Sequence, residues 1–224
     1  MEQSARCSYP DEDLKEDGRA PIGYYALILR PSATEDPNDG DCPTVSKTRY
    51  TPEDLLEIRD RPMPELVDGV LIDRPKGIER DSIACQIMVL IGNHVVNKKL
   101  GVVNGSRCGF QIFEGDPEKV RVSDASFTSR ERISRDRLAQ GHARVAPNLI
   151  VEVTSLDGSA DQLESKLNDY LSAGVLLIWV VYPISQTVIV HRANGLLNRL
   201  QANEILDGGD VLPGFEVEVS QLFA

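Results

Sequence analysis

Hydrophobic positions recur along this chain with two different periods. Between Glu79 and Leu100, the residues Ile83, Ile87, Ile91 and Val95 repeat every four positions, beside Ala84 and Met88. That stripe predicts an amphipathic helix. In "SADQLESKLNDYLSAG" (159–174), Leu163, Leu167, Tyr170 and Leu171 share one side and Gly174 supplies a stop, which predicts another. A shorter helix opens at "TPEDLLEIRD", with Thr51 as N-cap, Pro52 at the first helical position and acids in the first turn. Elsewhere the apolar residues alternate or cluster over short stretches, as in strands. "ELVDGVLIDRP" reads as a hairpin about Asp68-Gly69. "GVVNGSRCGFQIF" and "KVRVSDASFTS" read as strands parted by the turn-like "EGDPE". "NLIVEVTS", "VLLIWVVYP", "TVIVHR" and "LNRLQ" complete the set. The order α-β-β-α-β-β-β-α-β-β-β implies an α/β (α+β) protein with one mixed sheet flanked by helices.

Composition narrows the picture. The 224 residues, 41% hydrophobic and 26% charged, suffice for one well-cored domain with some chain to spare. Residues 1–48 are rich in Asp, Glu, Pro and Gly and hold ten acids against five bases. They read as an acidic extension with "GYYALILRP" as one docked strand, which leaves 49–224 as the domain proper. No apolar run reaches the roughly 20 residues of a membrane span, and the N-terminus has no apolar core of a secretory signal, so the expected location is the cytoplasm. Cys7, Cys42, Cys85 and Cys108 show no metal-ligand spacing, and His94, His142 and His191 match no zinc motif. The net charge of −11 argues against nucleic acid as a partner, but residues 119–144 hold seven bases against three acids. The arginines of that run, Arg130, Arg132, Arg135, Arg137 and Arg144, are either a solvated face or a contact for phosphates.

One position stands out in this pattern. Glu152 lies inside the apolar "LIVEV", where a carboxylate is expensive to bury. Asp124, in "VRVSDASF", also sits in a strand pattern, 28 residues upstream, a separation compatible with neighbouring strands. Two carboxylates brought together repel unless a cation holds both ionised. Mg²⁺ or Mn²⁺ takes such oxygen ligands, and the main-chain carbonyl of Val153 is a candidate third. Lys166 follows on the helix, about 60° from Leu163 at ~100° per residue, so its stem can lie along the sheet while the ammonium reaches the strand ends. Acid, acid and lysine suit phosphodiester hydrolysis, with the metal polarising phosphate and the lysine stabilising negative charge. The same three residues could equally form a structural ion-pair cluster.

"RYTPEDLLEI", "ELVDGVLI", "RVSDASF", "APNLIVEVTS", "ESKLNDYLSAGVLLIWVVYP" and "GDVLPGFEVEVSQLF" occur in this order. The series resembles the Uma-type putative restriction endonuclease family, formerly a domain of unknown function, within the PD-(D/E)XK nuclease superfamily. The similarity spans about 49–224. It implies a restriction-endonuclease-like fold and a Mg²⁺- or Mn²⁺-dependent endonuclease acting on DNA. Asp124 matches the acid of the family's "PD" strand, with Ser123 in place of the proline. Glu152 matches the acid of its "VEV" strand, Lys166 the lysine moved to the following helix, and Glu65 the acid of "YELIDG". Thr154 stands where many superfamily members carry the lysine. Asn148 and "SLD" replace residues of the family's "PDLVVEVLSPS", and Arg80 or a neighbour replaces a histidine that relatives often carry at the start of the first long helix. The expected partners are DNA and, in a homodimer, a second copy of the chain. The competing reading is an inactive nuclease-like module that binds nucleic acid or a protein, and a third is a phosphoesterase for small substrates.

Overall fold

A six-stranded mixed sheet carries the candidate site. The computed structural model describes residues 49–58, 62–74, 77–133, 141–155 and 158–224, all within one unit, Lys47–Ala224. The expected strand in "GYYALILRP" lies outside the described residues. In chain order the elements are α1 (Pro52–Glu57), β1 (Glu65–Val67), β2 (Val70–Ile72), α2 (Ile78–Lys98), β3 (Gly101–Gly105), β4 (Gly109–Phe110), β5 (Arg121–Val122) and β6 (Ala125–Ser129). There follow β7 (Leu149–Val153), α3 (Ala160–Ser172), β8 (Leu177–Tyr182), β9 (Thr187–Arg192), β10 (Leu197–Leu200), β11 (Ile205–Asp207), β12 (Glu216–Glu218) and a 3₁₀ turn, Val219–Phe223.

Local sequence explains the boundaries. Thr51 caps α1 in a reciprocal capping box with Asp54. The hairpin β1–β2 turns on Asp68 and Gly69, at φ 53° and 78°, the left-handed pair that a two-residue hairpin loop requires. Ser159 caps α3 through the Gln162 amide, and Gly174, at φ 88°, ends its last turn.

The main sheet has the order β10-β9-β8-β7-β6-β3. Its pairs are antiparallel except β7–β8, which run parallel and are joined through α3. Alternation sorts the buried side chains onto two faces. Leu149, Val151 and Val153 of β7, with Leu177, Trp179 and Val181 of β8, pack under the Ile83, Ile87, Ile91 and Val95 stripe of α2. Ile150, Ile178 and Val180 face the other way, against Leu167 and Tyr170 of α3. Glu152 belongs to this second face.

Three expectations change. "KVRVSDASFTS" is two strands, since β5 leaves the main sheet to pair with β4, and the break falls at Ser123-Asp124. "GVVNGSRCGFQIF" is likewise divided at Ser106 into β3 and β4. The ribbon β11–β12 was not anticipated; with Leu212 and Phe215 it closes the core over Trp179, whose ring lies 5.6 Å from that of Phe215.

Candidate active site

The β6–β7 ladder brings the first two candidates together. Its register pairs Ala125 with Val151 and Ser126 with Ile150. Asp124 immediately precedes the ladder; its amide donates to the Val151 carbonyl at 3.1 Å and its carboxylate accepts from the Val153 amide at 2.7 Å, the residues on either side of Glu152. Both acids are almost fully buried, at 2% and 4% exposure.

Lys166 comes to Glu152 from α3. The adjacent Leu167 and the Tyr170 ring are buried against the sheet, and this docking fixes the helix phase that points the lysine at the strand ends. Its ammonium lies 2.8 Å from Glu152 Oε1, 2.6 Å from Glu65 Oε1 and 2.7 Å from the Val122 carbonyl. Glu65 is delivered by the β1–β2 hairpin, which Leu66 fastens to Val120 through two main-chain bonds of 2.8 Å. Arg121 completes the cluster. It reaches Glu65 at 2.9 Å and Asp169 of α3 at 2.7 Å, and so ties hairpin to helix.

These neighbours set the ionisation of the acids. Burial pushes the Glu152 carboxyl up to about 7 and Asp124 adds to the rise, although Lys166 and Arg74 oppose it. Burial pushes Glu65 up too, but Lys166 and Arg121 outweigh it and leave that carboxyl below its ordinary value. Tyr170, beneath Lys166 and fully buried, is held well above the usual phenol range by burial and by Glu152 and Glu65.

Asp124 has different partners. Arg80 Nη2 lies 2.6 and 2.8 Å from its two oxygens, and Arg80 Nε donates to the Val153 carbonyl at 2.8 Å. Arg74 Nη2 binds Oδ1, and the Val153 amide donates to Oδ2 at 2.7 Å. Although burial opposes its charge, Arg74 is raised above the ordinary guanidinium value by Asp124, Glu152 and Glu65. Neither arginine was among the residues singled out for the site. One signal was present: Arg80 falls three and four residues before Ile83 and Ala84, a cation on the buried stripe of its helix.

Asp124, Glu152 and the Val153 carbonyl are all oxygen donors, the chemistry that Mg²⁺ or Mn²⁺ prefers, and the two acids are close enough for Asp124 to act on the charge of Glu152. The set therefore fits a hard divalent ion in kind, with arginine on two of the three donors. Among the described residues no group of three or more His, Cys, Asp or Glu side chains is arranged to hold a metal, so an ion here would rest on the two acids and the main chain.

The described part of the basic run lies elsewhere. Arg130 and Arg132 follow the far end of β6, opposite the end next to Asp124. Arg132 Nη1 donates to main-chain carbonyls, those of Ala146 at 3.0 Å, Pro147 at 3.2 Å and Gly174 at 3.0 Å. Arg135 and Arg137 lie outside the described residues. Beside the acids a cleft of about 820 Å³ opens between the hairpin and α3. Glu65, Glu152, Lys166, Arg121, Arg74 and Arg80 line it.

The mixed sheet flanked by helices is that of the restriction-endonuclease-like class of fold, here with a helix lysine paired to the acid of one central strand. Within that class the chain belongs to the Uma2 family, described as "Putative restriction endonuclease", whose model matches residues 52–220. A crystal structure of a putative nuclease belonging to DUF820 from Anabaena variabilis ATCC 29413 is similar at a TM-score of 0.64 and 20% identity, over 78% of this chain and 97% of that one. Comparison with curated proteins gives no significant match. No helix among the described residues is long and apolar enough to cross a membrane.

Proposed function

We propose that the chain is a metal-dependent endonuclease that hydrolyses DNA phosphodiester bonds in this cleft. The observation that carries the reading is the buried Glu152–Lys166 pair, 2.8 Å apart, set on the cleft wall beside a second strand acid. In this reading Asp124, Glu152 and the Val153 carbonyl hold Mg²⁺ or Mn²⁺. An ion held there supplies a polarised phosphate and a bound water of lowered pKa.

The chain's own residues do the rest. Lys166 keeps positive charge beside Glu152, where it can stabilise charge that develops on a phosphate oxygen. Glu65 and the Val122 carbonyl orient that ammonium, and Arg121 holds Glu65. Phosphates away from the scissile bond are proposed to meet Arg130, Arg135 and Arg137 of the basic run, while Arg132 braces main-chain carbonyls. Arg130 is six residues from Asp124 along β6, roughly 20 Å at strand rise, or about six base pairs of duplex. A homodimer, the acidic extension 1–48 as a brake on DNA binding and a cytoplasmic location belong to the same reading.

A second reading is favoured by Arg74 and Arg80. With guanidinium already on Asp124 and Val153, the cleft could hold a phosphodiester through Arg74 and Arg80 without cleaving it. Purified protein incubated with Mg²⁺ or Mn²⁺ on plasmid and single-stranded DNA, beside Lys166→Ala, separates the two. Nicking or linearisation by the wild type alone supports the nuclease. Retention of DNA in Ca²⁺ with no cleavage in any ion supports the binding module.

A further inference from the structure

The two arginines stand where the proposed ion would have to enter. An ionised carboxylate offers about four lone-pair sites. On Asp124 all four are engaged, two guanidinium contacts on Oδ1 and one guanidinium with one amide on Oδ2. Arg80 also spans from Asp124 to the Val153 carbonyl, two of the donors proposed for the ion. Arg74 and Arg80 line the cleft, while Asp124 lies behind them. Arg80 comes from the first turn of α2 and Arg74 from the segment after β2, so two separate elements converge on one carboxylate. A divalent ion added beside both guanidinium groups would meet like charge at contact distance, in a site too buried for water or salt to screen it well.

We propose that Arg74 and Arg80 are an internal competitor for the divalent cation, so that an ion reaches Asp124 and the Val153 carbonyl only by displacing guanidinium. The inference rests on the assignment of those two groups as ion ligands. It adds that the free protein binds the ion weakly because its own arginines already neutralise the site. The pair is matched to the ion in charge, since two guanidinium groups carry what one Mg²⁺ or Mn²⁺ would bring. Each is also a natural ligand of phosphate, to which arginine binds in the same forked geometry as to carboxylate. A phosphodiester in the cleft is therefore the kind of group that could draw the arginines off Asp124.

The test measures Mn²⁺ binding directly, by titration calorimetry and by the Mn²⁺ dependence of the melting temperature. The proteins compared are full-length wild type, Arg74→Ala, Arg80→Gln, and each of these variants combined with Asp124→Asn. Removing one charged hydrogen-bonding competitor should tighten Mn²⁺ binding by about tenfold or more. Mn²⁺ should raise the melting temperature of the single variants more than that of the wild type, and Asp124→Asn should abolish both gains. Should Arg80→Gln fail to fold, Arg74→Ala decides alone, because it leaves α2 and its bond to Val153 in place. The inference is overturned if wild type and folded variants bind Mn²⁺ within about threefold of one another, if none binds, or if the gain survives Asp124→Asn. Cleavage of plasmid DNA, scored on the same proteins, tests the nuclease reading separately. Tight Mn²⁺ binding by a variant, with no cleavage by wild type or variants, sinks that reading and leaves the competition standing. A wild type that cuts, yet binds Mn²⁺ as tightly as its variants, does the reverse.

Discussion

Replacing Glu152 by glutamine should change the stability of the metal-free protein in a way that depends on pH. A carboxyl lifted from 4.5 to about 7 is harder to ionise in the fold than in the unfolded chain, by about 3 kcal/mol at 1.36 kcal/mol per tenfold. Between those two values the folded protein holds a proton that the unfolded chain has released, so wild-type stability falls as pH rises through the window. Below about 4.5 the term vanishes, and above about 7 it is fully present. Glutamine keeps the shape and carries no charge, while Lys166 retains Glu65 and the Val122 carbonyl. The groups that act on the carboxyl, Lys166, Asp124, Arg74 and Glu65, remain in the variant. The stability of Glu152→Gln relative to wild type should therefore climb by about 3 kcal/mol between pH 4.5 and 7 and then level off. The lost bond to Lys166 adds an offset that varies little with pH. Urea unfolding in EDTA, followed by the fluorescence of the single and fully buried tryptophan, Trp179, measures the difference at each pH. A difference that stays flat, or that moves in favour of wild type as pH rises, refutes the reasoning and makes Glu152–Lys166 a stabilising ion pair.

Three further outcomes follow from the geometry. An alanine at Gly101 would set its Cβ 2.0 Å from the Thr128 carbonyl oxygen; β3 must shift, and Gly101→Ala should lose about 2 kcal/mol or more in a denaturant titration. Arg132→Ala should cost about 1–3 kcal/mol, because three carbonyls lose a charged donor. Its DNA affinity across a salt titration should match wild type, whereas a fall would return Arg132 to the phosphate contacts. With Cys7 and Cys42 changed to serine, Ellman's reagent at pH 8 should find one fast thiol, the exposed Cys85. Cys108, whose thiol burial pushes up to about 11, should react only on unfolding; two fast thiols would overturn this.

The legible parts of the fold were those whose signal is local. The Thr51 box, the Asp68-Gly69 turn, the four-residue stripe of α2 and the Gly174 stop each occupy a few neighbouring residues, and each marks its element in the structure. "KVRVSDASFTS" misled because the break at Ser123-Asp124 is imposed by partners far along the chain. Val122 gives its carbonyl to Lys166, and the Asp124 carboxylate accepts from the Val153 amide. At the site, the juxtaposition of Glu152 with Lys166 was open to reasoning from strand and helix phase. Arg74 and Arg121 were not, since each finds its acid across about 50 residues of sequence and no periodicity marks them. Arg80 was readable in principle, as a charge out of place on an apolar face.

The link between Glu152 and Lys166 has a consequence for engineering. The lysine is positioned by the docking of Leu167 and Tyr170 on the sheet, not by the segment that leads into α3. Residues could be inserted between Thr154 and Ser159 with little disturbance of the pair, since loop closure costs only about 0.6 kcal/mol for each doubling of length. Thr154, Ser155, Gly158 and Ser159 also line the cleft, so such insertions would remodel its wall around an unmoved acid and lysine. A deletion of one residue between Lys166 and Tyr170 is the opposite case. It would turn the lysine about 100° around the helix, away from both glutamates, while the helix stayed docked. The wall of the cleft and the position of the charged pair can thus be varied separately within residues 154–170.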